Sequence, residues 1–462
     1  MLQKVNILFN LKIIFAALKT SISYRSIFLL ALPIIISGIS QNIVTVVDTA
    51  FLGALGIAEL GAAGNMGILY LLMLTIGMGY TNGAQIIIAR RNGESNFDKI
   101  GDLIYQSLYF LIPLSMILLL VMQFALPSFI QAISHSEDVI IASQSYMSMR
   151  SFGIGFAFVN FIFISFFVGS KQTKILFYST LLMSITNIIL DYGLIFGHLG
   201  LPKLGVQGAA IASVISELVT AVYLGYFVLV KNDLVKYGLD SRSKFNIQAL
   251  KKIMSLASPI MLQLFLTLGS WFIFFSWIES IGEDELAISH IIRSIYMVLL
   301  IPLFGFGQAA NSLVSNLIGS KQYDDVLTLT WRVIVLTIIA TAFLVVITAI
   351  YPIEILNIFD LEPRLIQSGL DTLHVIQFSC FLLATSFVLF NCLMGTGNSK
   401  IALLIEAINL VFYLSTAYII INYFAQSIDQ VWYSEFIYFI CLGTFSFIYL
   451  KSKRWITDTK NI

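Results

Sequence analysis

Apolar residues gather along the chain into about a dozen runs of roughly twenty residues or more, parted by short polar stretches. A helix of that length crosses a hydrocarbon core of about 30 Å. Hydropathy places spans at 27–52, 62–90, 102–124, 139–168, 172–196 and 207–230 in the first half of the chain. The second half repeats the pattern at 251–278, 287–316, 328–350, 365–394, 400–420 and 431–450. A β-barrel would read as segments of about ten residues with alternating polarity, and that alternation is missing. The expected fold is an all-α integral membrane protein of twelve transmembrane helices.

The polar positions orient these spans. Only 11% of the 462 residues are charged and 58% are hydrophobic, against roughly 25% charged residues in ordinary soluble domains. Basic residues are retained on the cytoplasmic side of a membrane. Of the 26 Lys and Arg residues, only Lys203 and Arg364 fall in loops on one side, and Arg150 and Arg293 fall inside spans; the other 22 share the opposite side. Both termini are therefore expected in the cytoplasm of a cell with this protein in its inner membrane. Residues 1–25, with Lys4, Lys12, Lys19 and Arg25 among apolar positions, fit an interfacial helix better than a signal peptide, whose apolar core Lys12 would interrupt. A net charge of +1 gives no footing for nucleic acid. Cys380, Cys392 and Cys441 sit inside apolar runs without paired spacing and read as packing residues.

Sliding the chain against itself reveals a repeat at an offset of 226 residues. LALP at 30–33 faces LASP at 256–259, and Gly56, Glu59, Tyr70, Gly79, Ala84, Gly93, Asp98, Gly169 and Lys174 each meet the same residue type in the second half. Six spans per half make the halves parallel repeats, related by an axis along the membrane normal. The expected organisation is an N-lobe over 26–235, a basic cytoplasmic linker over 236–250, a C-lobe over 251–450 and a cytoplasmic tail over 451–462. Two such bundles suit a transporter that exposes a central site to each side in turn.

Ionisable residues inside spans are costly, and each is a functional candidate. Asp48 and Asp191 lie four or five residues before the outer ends of the first and fifth spans. Polar residues share their helical faces: Ser37, Gln41 and Thr45 with Asp48, and Thr180, Ser184 and Asn187 with Asp191. Two such stripes would line a hydrated cavity, and carboxylates with an amide oxygen bind a proton or a hard cation such as Na⁺. The bland alternative has Asp48 capping a turn before Gly53 and Asp191 bonding the loop near Gly193. Glu217 reads equally well as a protonated interhelical hydrogen-bond donor or as a transport residue. Arg150 reads best as a structural arginine, bonded to carbonyls or paired with an acid such as Glu217. His290 with Arg293, and Asp371 with His374, form weaker pairs three residues apart, and Glu406 stands alone in the eleventh span as a gating or simply solvated residue. The 37 Phe and 20 Tyr residues suit lipid contact, and equally a pocket for apolar or cationic aromatic compounds. No Walker A, H-E-x-x-H or G-x-S-x-G pattern occurs, so energy is expected from an ion gradient, with no cofactor and no ATPase subunit.

Five tracts carry a resemblance to a known family: LALPIIISGISQNIVTVVDTAFLG (30–53), AQIIIARRNGE (84–94), NIILDYGLIFG (187–197), GVQGAAIAS (205–213) and IPLFGFGQAANSLVSNLIGSKQ (301–322). Over about 24–450 the chain resembles the multidrug and toxic compound extrusion (MATE) transporters. The resemblance implies twelve helices in two lobes and export of organic compounds in exchange for H⁺ or Na⁺. It places the cation site, including any Na⁺, on Asp48, Asn187 and Asp191, with Ser213 where family members often carry Thr. No carboxylate lies between Pro259 and Trp277, so the branch that uses a glutamate in the seventh span is not matched, and the DinF-like branch is. A monomer acting on a small organic substrate within the bilayer is expected. The rival readings are a flippase for lipid-linked precursors, which would want a cationic cavity, and a membrane-embedded enzyme or receptor.

Overall fold

In hydrocarbon every backbone N–H must find its acceptor within the protein, so the apolar runs fold as helices that satisfy themselves. The computed structural model describes residues 22–133, 136–231, 234–240, 243–359, 361–424 and 427–458. In the first half, the helices are α1 (Tyr24–Gly53), α2 (Ile57–Gly93), α3 (Phe97–Ala132), α4 (Glu137–Arg150), α5 (Gly153–Gly169), α6 (Lys174–Phe196) and α7 (Val206–Lys231). The second half holds α8 (Ile247–Glu279), α9 (Glu283–Gly319), α10 (Asp325–Ile350), α11 (Pro363–Gly395), α12 (Ser399–Phe424) and α13 (Ile428–Ser452). Eleven of these are long and apolar enough to span a membrane alone, and α4 with α5 makes the twelfth. The fourth span is thus not the continuous helix the hydropathy over 139–168 predicts: it bends by 49° at Ser151, Phe152 and Gly153, a Ser/Gly break of the kind that kinks helices. The interfacial segment expected over 1–25 lies outside the described residues up to residue 21.

The helices gather into two compact units, one comprising residues 36–265 and the other the described residues of Met1–Ile35 and Leu266–Ile462. The division runs through α1 just after Pro33 and through α8 just after Pro259. Proline removes one backbone hydrogen bond and crowds the preceding turn, so both helices change allegiance close to a built-in weak point. In the 266–462 unit the core is largely aliphatic, with Phe274, Tyr296, Tyr413, Trp432 and Phe439 buried within it. The 36–265 unit buries a small aliphatic cluster, including Leu52, Ala62, Ala142, Ile195 and Ala209, beside the C-terminal ends of α1 and α6.

The basic stretch after α7 is held rather than loose. Gly101 N–H bonds the Tyr237 carbonyl at 2.7 Å, Tyr105 OH bonds the Leu239 carbonyl at 3.1 Å, and Gln106 Nε2 bonds the Lys244 carbonyl at 2.8 Å. Asp102 accepts from Ser243, and Tyr109 OH donates to the Ser243 carbonyl at 2.9 Å. The linker is thereby strapped along the start of α3.

Candidate functional site

The C-terminal end of α6 is fixed by its glycines. Gly197 takes the left-handed conformation, φ 79°, and its N–H and that of His198 both bond the Gly193 carbonyl, at 2.9 and 3.0 Å. The chain then doubles back, and Leu204 N–H reaches the Leu194 carbonyl at 2.7 Å. Gly208 lets α7 lie against α6, since a Cβ there would come within 2.6 Å of the Leu194 backbone. Asp191, one turn inside this lock, is completely buried.

Asn187, one turn earlier and also buried, joins Asp191 to Asp48. With its amide NH₂ turned toward them, it donates to Asp48 Oδ1 at 3.1 Å and to Asp191 Oδ2 at 3.2 Å. The two carboxyls also interact directly. Asp191 Oδ1 and Ser184 Oγ are buried without a hydrogen-bond partner, an unusual state for buried polar atoms. Like charges this close repel, so the pair is a ready acceptor for one positive charge, whether a proton or a hard cation.

Other members of the two polar stripes are placed differently. Ser37 and Thr180 both donate to the Leu176 carbonyl, at 3.3 and 3.0 Å, which joins α1 to α6. Thr45 bonds the Gln41 carbonyl of its own helix, and both residues are exposed. Ser213 is half-buried on α7, and its hydroxyl makes no hydrogen bond to Asp48, Asn187 or Asp191 among the described residues. Helix α1 runs on past Asp48 to Gly53, so the carboxyl does not cap a turn.

A second polar group lies deeper in the same unit. Arg150 forms a two-pronged ion pair with Glu217, Nη2 to Oε1 at 2.6 Å and Nη1 to Oε2 at 3.0 Å, and also donates to Tyr70 OH at 3.0 Å. Asn160 Nδ2 bonds the Glu217 carbonyl at 3.0 Å. The reading of Glu217 as a protonated interhelical donor is corrected: it is the counter-charge of Arg150. Gly153 makes room for the pair, because a Cβ there would strike both charged groups. Tyr146, on α4, lies within electrostatic reach of Arg150, Glu217, Asp48 and Asp191 and so connects the two groups. Neither Tyr146 nor Asn160 carries a sequence signal beyond being polar inside a span.

In the 266–462 unit, His290 stacks on Phe275 at 5.2 Å between centroids, and the Arg293 guanidinium lies 5.1 Å from the same ring. Asp371 accepts from Gln367 at 2.9 Å, and it and His374 are exposed. Glu406 is neither alone nor solvated, contrary to the sequence reading. It is 1% exposed and accepts hydrogen bonds from Thr267 and Tyr438, both at 2.8 Å. Buried Glu435, absent from the sequence-based candidates, accepts from Tyr413 OH at 3.0 Å. Cys380 and Cys392 are buried and Cys441 is half-buried, all as free thiols.

Two repeated membrane bundles, one of which joins two intramembrane carboxyls through a buried amide, define a membrane transporter rather than an enzyme. The MatE family profile matches residues 33–193 and 259–419, one match per half and in the 226-residue register, and the chain belongs to that family. It is similar to the probable multidrug resistance protein NorM of Thermotoga maritima, with 24% identity over 446 residues that cover 93% of each chain. Similarity to the probable multidrug resistance protein YoeA of Bacillus subtilis is 23% identity, covering 82% of this chain and 80% of that one. Among solved structures, the fold matches an outward-facing multidrug resistance MATE family transporter of the MOP superfamily, with a TM-score of 0.87, 20% identity and coverage of 95% and 96%. It also matches a MOP superfamily transporter from Pyrococcus furiosus, with a TM-score of 0.85, 19% identity and the same coverage.

Proposed function

We propose that the protein is a secondary antiporter that exports organic compounds, cationic or amphipathic, in exchange for H⁺ or Na⁺ by alternating access. The observation that carries this reading is the bridge of buried Asn187 between half-buried Asp48 and buried Asp191. Binding of a proton or Na⁺ between them removes their mutual repulsion and relaxes the packing of α1 against α6, and this lowers affinity for the outgoing compound. Ser213, on the neighbouring helix, joins the site when α7 shifts toward the pair. The relatives' names, which speak of multidrug resistance, support the substrate class. The lack of a carboxylate between Pro259 and Trp277 supports placement in the DinF-like branch. The one-sided distribution of Lys and Arg supports cytoplasmic termini in the inner membrane, and we assign a monomer.

Arg150 is neutralised by Glu217. That takes away one of the two cationic residues on which the flippase alternative drew.

Proteoliposomes loaded with a fluorescent organic cation and given an inward pH or Na⁺ gradient test the proposal. Wild type should expel the dye under one of the gradients, and Asp48→Asn and Asp191→Asn should fall to the level of empty vesicles. Near-normal gradient-driven export by Asp48→Asn would remove the carboxylate pair from the mechanism.

A further inference from the structure

We propose that His290 and Arg293, in the 266–462 unit, form a subsite for the carboxylate of an aromatic compound. The proposal rests on the export reading and names a class within it, aromatic acids and zwitterions. Four rings follow one another between α8 and α9. Tyr296 stacks on Trp271 at 6.1 Å between centroids, Trp271 lies 6.0 Å from Phe275, and Phe275 stacks on His290 at 5.2 Å. The Arg293 guanidinium lies 5.1 Å from the centroid of the Phe275 ring. Tyr296 is buried, Trp271, Phe275 and Arg293 are half-buried, and His290 is exposed. The ladder of rings therefore has one closed end and one accessible end, and the accessible end carries the two nitrogenous side chains.

An arginine inside a span is costly, and such residues pair with another group or mark the path of a solute. The two intramembrane arginines divide along that line. Arg150 spends its guanidinium on Glu217 and Tyr70. Arg293 makes neither an ion pair nor a hydrogen bond among the described residues, and the imidazole of His290 makes none either. Glu279, at the end of α8, lies within electrostatic reach of His290 but outside ion-pairing distance of both residues, and Asp284 at the start of α9 is taken by Arg364. A ring face attracts a cation but leaves its N–H donors unused. The planar fork of a guanidinium matches both oxygens of a carboxylate, and His290, one turn earlier on α9, adds a further donor. Phe275 and Trp271 supply the apolar surface on which an attached ring can lie. This chemistry belongs to one unit alone. At the 226-residue offset His290 and Arg293 fall on Gly64 and Gly67, and Trp271 and Phe275 on Thr45 and Thr49. Nothing stands within 4 Å of a Cβ built at Gly64 or Gly67, so the first unit has room there for side chains and lacks only the groups that would hold an acid.

Equilibrium binding of naphthoate to the purified full-length protein in phosphatidylcholine nanodiscs tests this, with uncharged naphthamide, of the same shape, as the comparison. Wild type should bind the acid about tenfold more tightly than the amide, the gain of a charge-assisted two-pronged contact. Arg293→Gln should bring the acid down to the affinity of the amide, and His290→Gln should remove a smaller part of the preference. Should Arg293→Gln fail to fold, Arg293→Lys, which keeps the charge and loses the fork, must still lower the preference. No binding of the acid, equal binding of acid and amide by wild type, or a preference that survives the changes at Arg293 would overturn the proposal. So would loss of naphthoate binding in nanodiscs containing phosphatidylglycerol, which would give the subsite to a lipid headgroup. The assay needs no gradient. A negative result therefore leaves gradient-driven export of the dye standing, and a failure of that export leaves the preference for the acid standing.

Discussion

Positions made equivalent by the 226-residue repeat hold opposite chemistry in the two units. Asp48, Asn187, Asp191 and Ser213 in one correspond to Phe274, Tyr413, Ala417 and Phe439 in the other. All four of the latter belong to a buried core, and the Phe274 and Tyr413 rings lie 5.5 Å apart between centroids. Residue identity at each repeated position decided whether that spot accepts a charge or is closed by packing. The acids of the second unit enter instead from positions that the first fills with Thr180 and Ala209. A repeated helical frame therefore does not imply a repeated site.

The largest effect that would break this contrast is expected from Phe274→Asp. Removing a fully buried Phe and leaving a carboxylate among aromatic rings should cost about 5 kcal/mol or more, read as a collapse of the thermal transition in detergent. Phe274→Leu should lose far less, and a tolerated Asp would mean that this core can hold a carboxylate as the Asp48 site does. Next comes the ion pair of the first unit. Glu217→Gln strands Arg150 and should cost about 3–5 kcal/mol, whereas Arg150→Met with Glu217→Met should recover most of that loss. Equal melting temperatures for the single and double variants would show that the pair is not a charge-balanced unit. The smallest effect belongs to the exposed Lys453 and Asp324 pair, 2.6 Å apart. The Lys453 ammonium holds the Asp324 carboxyl below the usual carboxylate range, yet such surface pairs contribute little. Asp324→Asn should leave export and melting unchanged, and a clear loss would reveal a structural tie that its exposure does not explain.

The fold was legible because hydropathy and the 226-residue register both act over long windows. Twelve spans and two matching halves follow from apolar runs that nothing but a bilayer explains. The bend at Ser151 to Gly153 was not readable, since a single Ser/Gly break costs too little to interrupt the hydropathy. Asp48, Asn187 and Asp191 could be singled out because their polarity recurs at helical spacing on two spans. That Asn187 lies between both acids depends on how α1 packs against α6, which no single-helix pattern records. Glu435 was missed for a plain reason: it sits in the first turns of its span, where a carboxylate is expected to be wet. Only the packing of Tyr413 and Tyr438 around it makes it dry. Glu406 was misread as alone because its partners, Thr267 and Tyr438, are remote in sequence and neutral.

The start of α1 has a bearing on how the molecule is made. The described residues up to Ile35 belong to the unit completed by Leu266–Ile462. Ile27 and Ala31 are fully buried there, Arg332 Nη1 bonds the Ile22 carbonyl at 2.7 Å, and the Gly305 backbone leaves no room for a Cβ against Ile35. During synthesis these surfaces wait for partners that emerge more than two hundred residues later. Helix α1 is thus among the last to finish docking, and a chain halted at the linker would carry its unmatched end into the bilayer.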